Sequence, residues 1–295
     1  MEATYEMARR MAVTIPRFHD LIGAFFNEHL GKAFPDAPAQ LEIASYSDPE
    51  IMRTAYSQGG MLVDVALDHL MGLSKTLTEP VEVFTPWVCV RAVFESSALA
   101  AWFLEPGITG AERAKRSFAF RFEGLTQQLK FLQAWKTKSA DIEGLKRQIE
   151  ELEETAFRLG MDRLRDRKGK RMGIGMPMPS VTELITSVFH DEPSYRLQSA
   201  MAHGHHWALQ QLGYRVHEND DGKSDYVMLT KHISAAAAGH LCTRAVRAFA
   251  KPAWYRSCRN GWDAQRIREI LELAYNDMLI NERERFWRSS SSPGA

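Results

Sequence analysis

The segment from Tyr195 to His203 holds the residue types and spacing most suggestive of chemistry in this chain. A helix that starts near Pro193 and runs to about Leu212 would turn by about 100° per residue. One narrow sector of that helix carries polar and aromatic side chains at spacings of three, four and four: Arg196, Ser199, His203 and Trp207. An arginine and a histidine two turns apart, about 10 Å along the axis, can converge on an anion the size of a phosphate. We therefore predict a polar site around Arg196 and His203, with Tyr195, Ser199 and Trp207 as supporting residues.

Three neighbouring histidines, His203, His205 and His206, raise the possibility of a metal site. On a continuous helix His203 and His206 would be one turn apart, whereas His205 would point to the opposite side. Two histidines without a carboxylate on the same face are a weak pattern for a metal ion. We therefore expect no metal and no cofactor, and we assign His206 as a further supporting residue of the polar site.

A second polar pair interrupts the longest apolar run of the sequence, residues 86–104. Arg91 and Glu95 are four residues apart on a helix that should be buried, where an unpaired charge is expensive. Arginine before glutamate is the less favourable order for a pair within one helix, which favours partners on other helices. We predict that Arg91 or Glu95 meets the face that carries Arg196 and His203. The alternative is a structural ion-pair network without chemistry.

These motifs resemble the pattern of a large group of uncharacterised bacterial helical proteins. The resemblance covers roughly residues 85–212 and rests on Arg91-x3-Glu95, Ala111-Glu-Arg-Ala-Lys-Arg116 and Tyr195-Arg196-Leu-Gln-Ser199-x3-His203-Gly204. Arg196-x6-His203 also resembles the Arg-x4–6-His signature of the HEPN superfamily. Members of that superfamily are helical-bundle domains, and many are metal-independent endoribonucleases.

The HEPN resemblance implies a reaction and partners. Arg196 would bind the scissile phosphate of RNA, and His203 would act as general acid or base while the 2′-hydroxyl attacks. Such sites often form across a homodimer, for which the apolar seam at 142–159 is a candidate surface. Two other functions stay open: a non-catalytic module that binds a ligand, a nucleotide or a protein, and a small-molecule enzyme. The cavity of such an enzyme would be lined by Tyr195, His203, His206 and Trp207.

The elements that must position these residues are mostly helices, and the predicted fold class is all-α, a multi-helix bundle. Apolar stripes predict helices over residues 1–32, 48–73, 86–104, 230–250 and 262–287, with a short extended piece at 77–86. A long stripe from Phe122 to Leu159 predicts an αα-hairpin, with Gly144 weakening its middle. Intramolecular packing of this hairpin is the first interpretation of the seam, and a dimer is the second.

Breaks in the apolar pattern suggest the domain organisation. Residues 160–179 are rich in glycine, proline and basic side chains and predict a loop. The chain would then be one helical domain over 1–287, with lobes at 1–160 and 180–287 and a disordered tail at 288–295. Strands at 214–218 and 225–229 around an Asn-Asp-Asp-Gly turn predict one small β-hairpin.

Composition limits the classes of function. Lys plus Arg and Asp plus Glu each total 37, so the formal net charge is zero and any grip on nucleic acid must use a local patch. One basic stripe, His240, Arg244, Arg247 and Lys251, could hold an anion, although most such stripes are solvated faces. Three widely spaced cysteines fit a reducing compartment. We predict a cytoplasmic protein without a membrane partner.

Overall fold

The structure, a computed structural model, describes residues 2–30, 32, 34–136, 138–169, 171–217, 228–274 and 276. The first half is helical: α1 (Glu2–His29), α2 (Pro38–Ser45), α3 (Pro49–Thr76), α4 (Thr85–Leu104), α5 (Gly110–Ala134) and α6 (Ser139–Arg158). The second half contains α7 (Val181–Phe189), α8 (Glu192–Ala202), the short α9 (His206–Ala208), a π-helical turn (Leu209–Gly213), α10 (Ala235–Asn260) and α11 (264–274). The all-α prediction is confirmed, with two small sheets added to the helices.

Helix α4 occupies the centre of the main core, as its nearly uniform apolar character predicts. It packs against α3, α7, α8 and α10, and its residues Val90, Val93, Ala98 and Phe103 are fully buried. Among the described helices it is the one long and apolar enough to cross a membrane, but 67% of that stretch is buried inside the protein. This burial is that of a core helix in a soluble protein.

Helices α5 and α6 form the predicted αα-hairpin, and they build a second core. Helix α5 ends at Ala134 and α6 begins at Ser139, whereas Gly144 lies inside α6. The seam residues Leu145, Ile149, Leu152 and Ala156 are buried within the chain. The first interpretation of the seam, intramolecular packing, agrees with this burial, so a homodimer would have to use a different surface.

The prediction of a loop at 160–179 is wrong, because this segment forms a three-stranded antiparallel sheet. Strands β1 (Arg163–Arg165), β2 (Arg171–Ile174) and β3 (Met176–Pro177) follow one another in that order. Gly175, with a φ of +68°, makes the tight turn between β2 and β3. Ile174 is fully buried in the second core, and this burial holds the sheet against the hairpin. Gly169 and Gly175 lie in the turns between strands, whereas Gly173 lies within β2.

The predicted β-hairpin is present with a shifted second strand. Strand β4 (Tyr214–His217) pairs antiparallel with β5 (Met228–Lys231), so that Tyr214 lies opposite Lys231. The predicted turn at 219–222 and the predicted tail at 288–295 lie outside the described residues. The prediction of an extended piece at 77–86 is wrong. The backbone N–H of Glu82 donates to the carbonyl of Thr76 at 2.9 Å, so this segment turns back toward the end of α3.

Candidate functional site

The single helix predicted from 193 to 212 is broken at its histidines. Helix α8 ends at Ala202, and Gly204 follows with a φ of +68°. The N–H of Gly204 bonds to the carbonyl of Met201, and the N–H of His205 bonds to that of Ala200. This pair of bonds around a left-handed glycine is a Schellman motif, which ends a helix. Trp207 therefore belongs to a different helix from Arg196, and the predicted common face does not exist.

Four side chains meet in one hydrogen-bonded chain, which we call the Arg91–His203 cluster. Its members are Arg91 and Glu95 on α4, Tyr195 on α8 and His203 directly after α8. The Nε of Arg91 donates to Oε1 of Glu95 at 2.7 Å, and the hydroxyl of Tyr195 donates to the same oxygen at 2.8 Å. Nη1 of Arg91 lies 2.6 Å from Nε2 of His203. The guanidinium also lies 5.9 Å from the centre of the Tyr195 ring. Arg91 thus contacts His203 but not Arg196, and the contact lies at the surface.

The arginine contact defines the state of the imidazole in this cluster. A guanidinium can only donate, so Nε2 of His203 must accept and the neutral ring carries its proton on Nδ1. His203 is exposed, so solvent and ligands can reach the ring. An exposed imidazole beside a fixed cation can form a hydrogen bond with a bound group.

Glu95 holds the cluster together electrostatically. Burial opposes the charge of Arg91, but the hydrogen bond and the charge of Glu95 outweigh it and raise the pKa of Arg91. Burial raises the pKa of the Tyr195 phenol, and its hydrogen bond to Glu95 raises that pKa further. Arg91 therefore stays a cation and Tyr195 a neutral donor at physiological pH.

Arg196, the predicted catalytic cation, lies outside this cluster. Its Nε donates to Oε1 of Glu192 at 2.6 Å, and its side chain is 68% exposed. The other oxygen of Glu192 accepts from the hydroxyl of Thr186 at 3.1 Å. The hydrogen bond from Arg196 lowers the pKa of the Glu192 carboxyl. In the structure, Arg196 and His203 therefore do not converge on one anion.

The remaining predicted residues lie around the end of α8. Ser199 uses its backbone carbonyl to accept the N–H of His203 at 3.0 Å. His206 is exposed at the start of α9, and the neighbouring Trp207 is exposed as well. The expectation that His205 points away is wrong, because its ring centre lies 6.4 Å from that of His203. The Schellman turn at Gly204, a signal present in the sequence, explains this placement.

The motif from Ala111 to Arg116 has a structural role. Arg113 is fully buried, and it donates to the carbonyls of Phe103 and Glu105. Arg116 donates to the carbonyl of Trp102 at 2.5 Å. These carbonyls belong to the last turn of α4, where a helix leaves acceptors without partners inside it. The two arginines thus cap the C-terminus of α4.

A second charged cluster, which sequence reasoning missed, surrounds Glu42 on α2. We call it the Glu42 network: Glu42, Tyr56, Arg113 and Arg259. Glu42 accepts from Nε of Arg113 at 2.9 Å, from the hydroxyl of Tyr56 at 2.8 Å and from Arg259. The three partners come from α5, α3 and α10. Sequence separations of up to 217 residues hid this network from local patterns.

The basic stripe of α10 is also partly committed to the fold. Nη1 of Arg244 donates to Asp191 at 2.7 Å, and Nζ of Lys251 donates to the carbonyl of Val188 at 2.7 Å. These contacts hold α10 against the end of α7 and the start of α8. They leave little of the stripe for an anion.

The described residues contain no cluster of three or more histidine, cysteine, aspartate and glutamate side chains that could hold a metal ion. Comparisons of the chain with protein-family models, with curated proteins and with solved structures find no match. The resemblance to HEPN domains therefore stays a prediction that rests on the motif residues alone.

Proposed function

We propose that the Arg91–His203 cluster is the active site of a metal-independent endoribonuclease. The observation that supports this most directly is the 2.6 Å contact between Nη1 of Arg91 and Nε2 of the exposed His203. It places a permanent cation and a titratable base within reach of one phosphate. In this proposal Arg91 takes the role that the motif alone assigned to Arg196.

The proposed reaction uses each residue of the cluster. A phosphate of RNA displaces the imidazole from Arg91, whose guanidinium then neutralises the phosphate. The released Nε2 of His203 takes the proton of the 2′-hydroxyl, and the 2′-oxygen attacks phosphorus as the bond to the 5′-oxygen breaks. Protonated His203 or water then gives a proton to the leaving oxygen. Glu95 and Tyr195 position Arg91 and do not touch the substrate.

A second candidate function is non-catalytic binding of a phosphate group by the same cluster. The ion pair between Arg196 and Glu192 favours this second candidate, because it holds the guanidinium of Arg196 on Glu192 and not beside His203. The two candidates share Arg91 as the phosphate ligand. They differ in whether His203 has a chemical role.

Cleavage of fluorescent single-stranded RNA by the purified full-length chain in EDTA tests the proposal. We expect wild-type cleavage, a loss of about 10²- to 10⁴-fold in His203→Ala, and at most a few-fold change in Arg196→Ala. His206→Ala is the matched control, because it removes a nearby exposed histidine that lies outside the cluster. Thermal melts of each variant verify folding.

Three outcomes would count against the proposal. Intact RNA with the wild-type protein removes the nuclease, and RNA binding that Arg91→Lys weakens would then favour the second candidate. Equal cleavage by wild type and His203→Ala removes His203 as the acid–base group. A larger loss in Arg196→Ala than in Arg91→Lys would return the catalytic role to Arg196.

A further inference from the structure

A cavity of about 560 Å³ opens between α3, α5 and α6, and it shares no residue with the Arg91–His203 cluster. This volume lies within the range of about 300–1,000 Å³ that is usual for small-molecule sites. Its apolar wall consists of Phe120, Leu125 and Leu152, and its polar lining is Gln58, Arg121, Gln128, Gln148, Glu151 and Thr155. The cavity thus combines one cation, one carboxylate and three amides with an apolar surface.

Arg121 is a cation without an anionic partner among the residues that the structure describes. It forms no hydrogen bond or ion pair with any described residue, and its guanidinium lies 5.8 Å from the centre of the Phe118 ring. Partial burial lowers the pKa of Arg121, although the residue as a whole is exposed to solvent. Arginine keeps its proton at neutral pH despite such a shift. A phosphate or carboxylate in the cavity would supply the missing partner.

Gln58 is a buried donor that faces the same cavity. Its side chain is 7% exposed, and its Oε1 accepts from the hydroxyl of Ser117 at 2.8 Å. No acceptor for its amide nitrogen exists among the described residues. This nitrogen is not sealed from solvent, so it can donate to a molecule in the cavity. A ligand acceptor would satisfy this amide.

Glu151 supplies a carboxylate that the cavity does not neutralise. The part of the chain that the structure describes gives it no ion pair with Arg121 or with any other side chain. Two opposite charges that line one cavity without pairing fit a ligand with an acidic group and an amino group. A free amino acid has both groups but would leave most of the volume empty. The amides favour a flat ring with hydrogen-bonding edges, such as a nucleobase.

We propose that the α3–α5–α6 cavity is a binding site for an amino-bearing nucleoside monophosphate. Arg121 binds the phosphate as a planar fork, and Glu151 accepts from the amino group of the base. Gln58 donates to a ring or sugar acceptor, and Phe120 and Leu125 pack against the base. The site is separate from the proposed nuclease centre and does not depend on it.

Calorimetric titration of the full-length chain with AMP tests the site. We expect saturable binding of AMP in wild type, with affinity about tenfold or more weaker in Arg121→Gln, since a charge-assisted hydrogen bond is lost. Adenosine, which lacks the phosphate, should bind wild type and Arg121→Gln alike. IMP, which lacks the amino group, should bind more weakly than AMP in wild type and equally in Glu151→Gln.

A pair of glycine variants locates the binding. Gly124 lines the cavity and Gly144 does not, yet a Cβ at either position meets nothing within 4 Å. Gly124→Trp fills the cavity and should abolish AMP binding, whereas Gly144→Trp should keep it, and thermal melts verify that both variants fold. Absence of AMP binding in wild type, or equal binding by the two glycine variants, overturns the proposal. Binding of free amino acids but not of AMP overturns the choice of ligand.

Discussion

The neighbours of Glu42 determine the pKa of its carboxyl group. Its carboxylate is mostly buried, and burial alone would raise its pKa. The hydrogen bond and charge of Arg113, together with the donors Tyr56 and Arg259, outweigh burial and lower the pKa of Glu42. The carboxylate is therefore ionised in the folded protein at any pH near neutrality. Removing its charge leaves two buried guanidinium groups without their counterion.

Replacement of Glu42 by glutamine should destabilise the protein in a pH-dependent way. At pH 7 we expect a loss of about 3 kcal/mol, as for a buried pair that loses one partner. The folded pKa of Glu42 lies below its unfolded value, so its contribution is present above the unfolded pKa of about 4.3 and is lost as pH falls through the folded value. Urea unfolding of wild type and Glu42→Gln should give free energies of unfolding that approach each other below about pH 4.

Glu50→Gln is the control for this pH dependence. Glu50 pairs with Arg53 on the same helix as Tyr56, and both side chains of that pair are exposed. Exposed pairs contribute about 0–1 kcal/mol, so this variant should match wild type within that range. A difference between wild type and Glu42→Gln that stays constant from pH 7 to pH 3 would contradict the assignment of the charge to Glu42.

From the sequence, the residues of the site were easier to identify than the contacts between them. Arg91 and Glu95 stand out because charged groups are rare in apolar stretches, and His203 stands out by its helical spacing from Arg196. The contact between Arg91 and His203 joins positions 112 residues apart, and no local pattern specifies it. The pair of Glu192 with Arg196 was readable, since glutamate four residues before arginine is the favourable helical order.

Glycines end several helices and allow neighbouring helices to pack closely. Gly59 on α3 faces the end of α4, where a Cβ would lie 2.8 Å from two side-chain atoms of Leu104 and 3.1 Å from Cβ of Phe103. Gly144 on α6 has open space at the corresponding position. The sequence predicted both helices from their apolar stripes. It could not distinguish these two glycines, because the difference depends on the neighbouring helix.

Alanine at these two glycines should change stability in opposite directions. Gly144→Ala should stabilise the protein by about 0.5–1 kcal/mol, because alanine loses less conformational entropy in a helix. Gly59→Ala should destabilise it by about 1–3 kcal/mol, because α3 and α4 must separate or Leu104 must change rotamer. Chemical denaturation followed by circular dichroism measures both. Stabilisation by Gly59→Ala would contradict the close packing of α3 and α4.

The long helices were predictable from apolar periodicity, whereas the short α2 and the sheet at 160–179 were not. Its strands are two to four residues long, which is too short for an alternating pattern to stand out. Their stability comes from burial of Ile174 against the hairpin, a tertiary contact. The end of α8 was predictable in principle, since a glycine at 204 is a common signal for a helix C-terminus.

Two apolar cores meet at the Glu42 network. The main core draws on α1, α3, α4, α7, α8, α10 and α11, and the second core on α2, α3, α5, α6 and β2. Arg259 on α10 donates to Glu42 on α2 and to Tyr56 on α3. This arginine therefore links the main core to the second core by charge as well as by packing. Unfolding of the chain as one domain stays a prediction.

Arg259→Met should uncouple the two cores. Hydrogen exchange with mass spectrometry would compare peptides of α6, in the second core, with peptides of α4, in the main core. We expect exchange of α6 to become about tenfold faster or more while α4 keeps its protection, because loss of the buried arginine lowers the free energy of local opening of the second core. Arg266→Met is the matched control, since it breaks an exposed pair with Glu28 at 2.5 Å that joins α11 to α1 within the main core. Equal acceleration of α4 and α6 in Arg259→Met would show that the two cores open together and that the network does not limit their coupling.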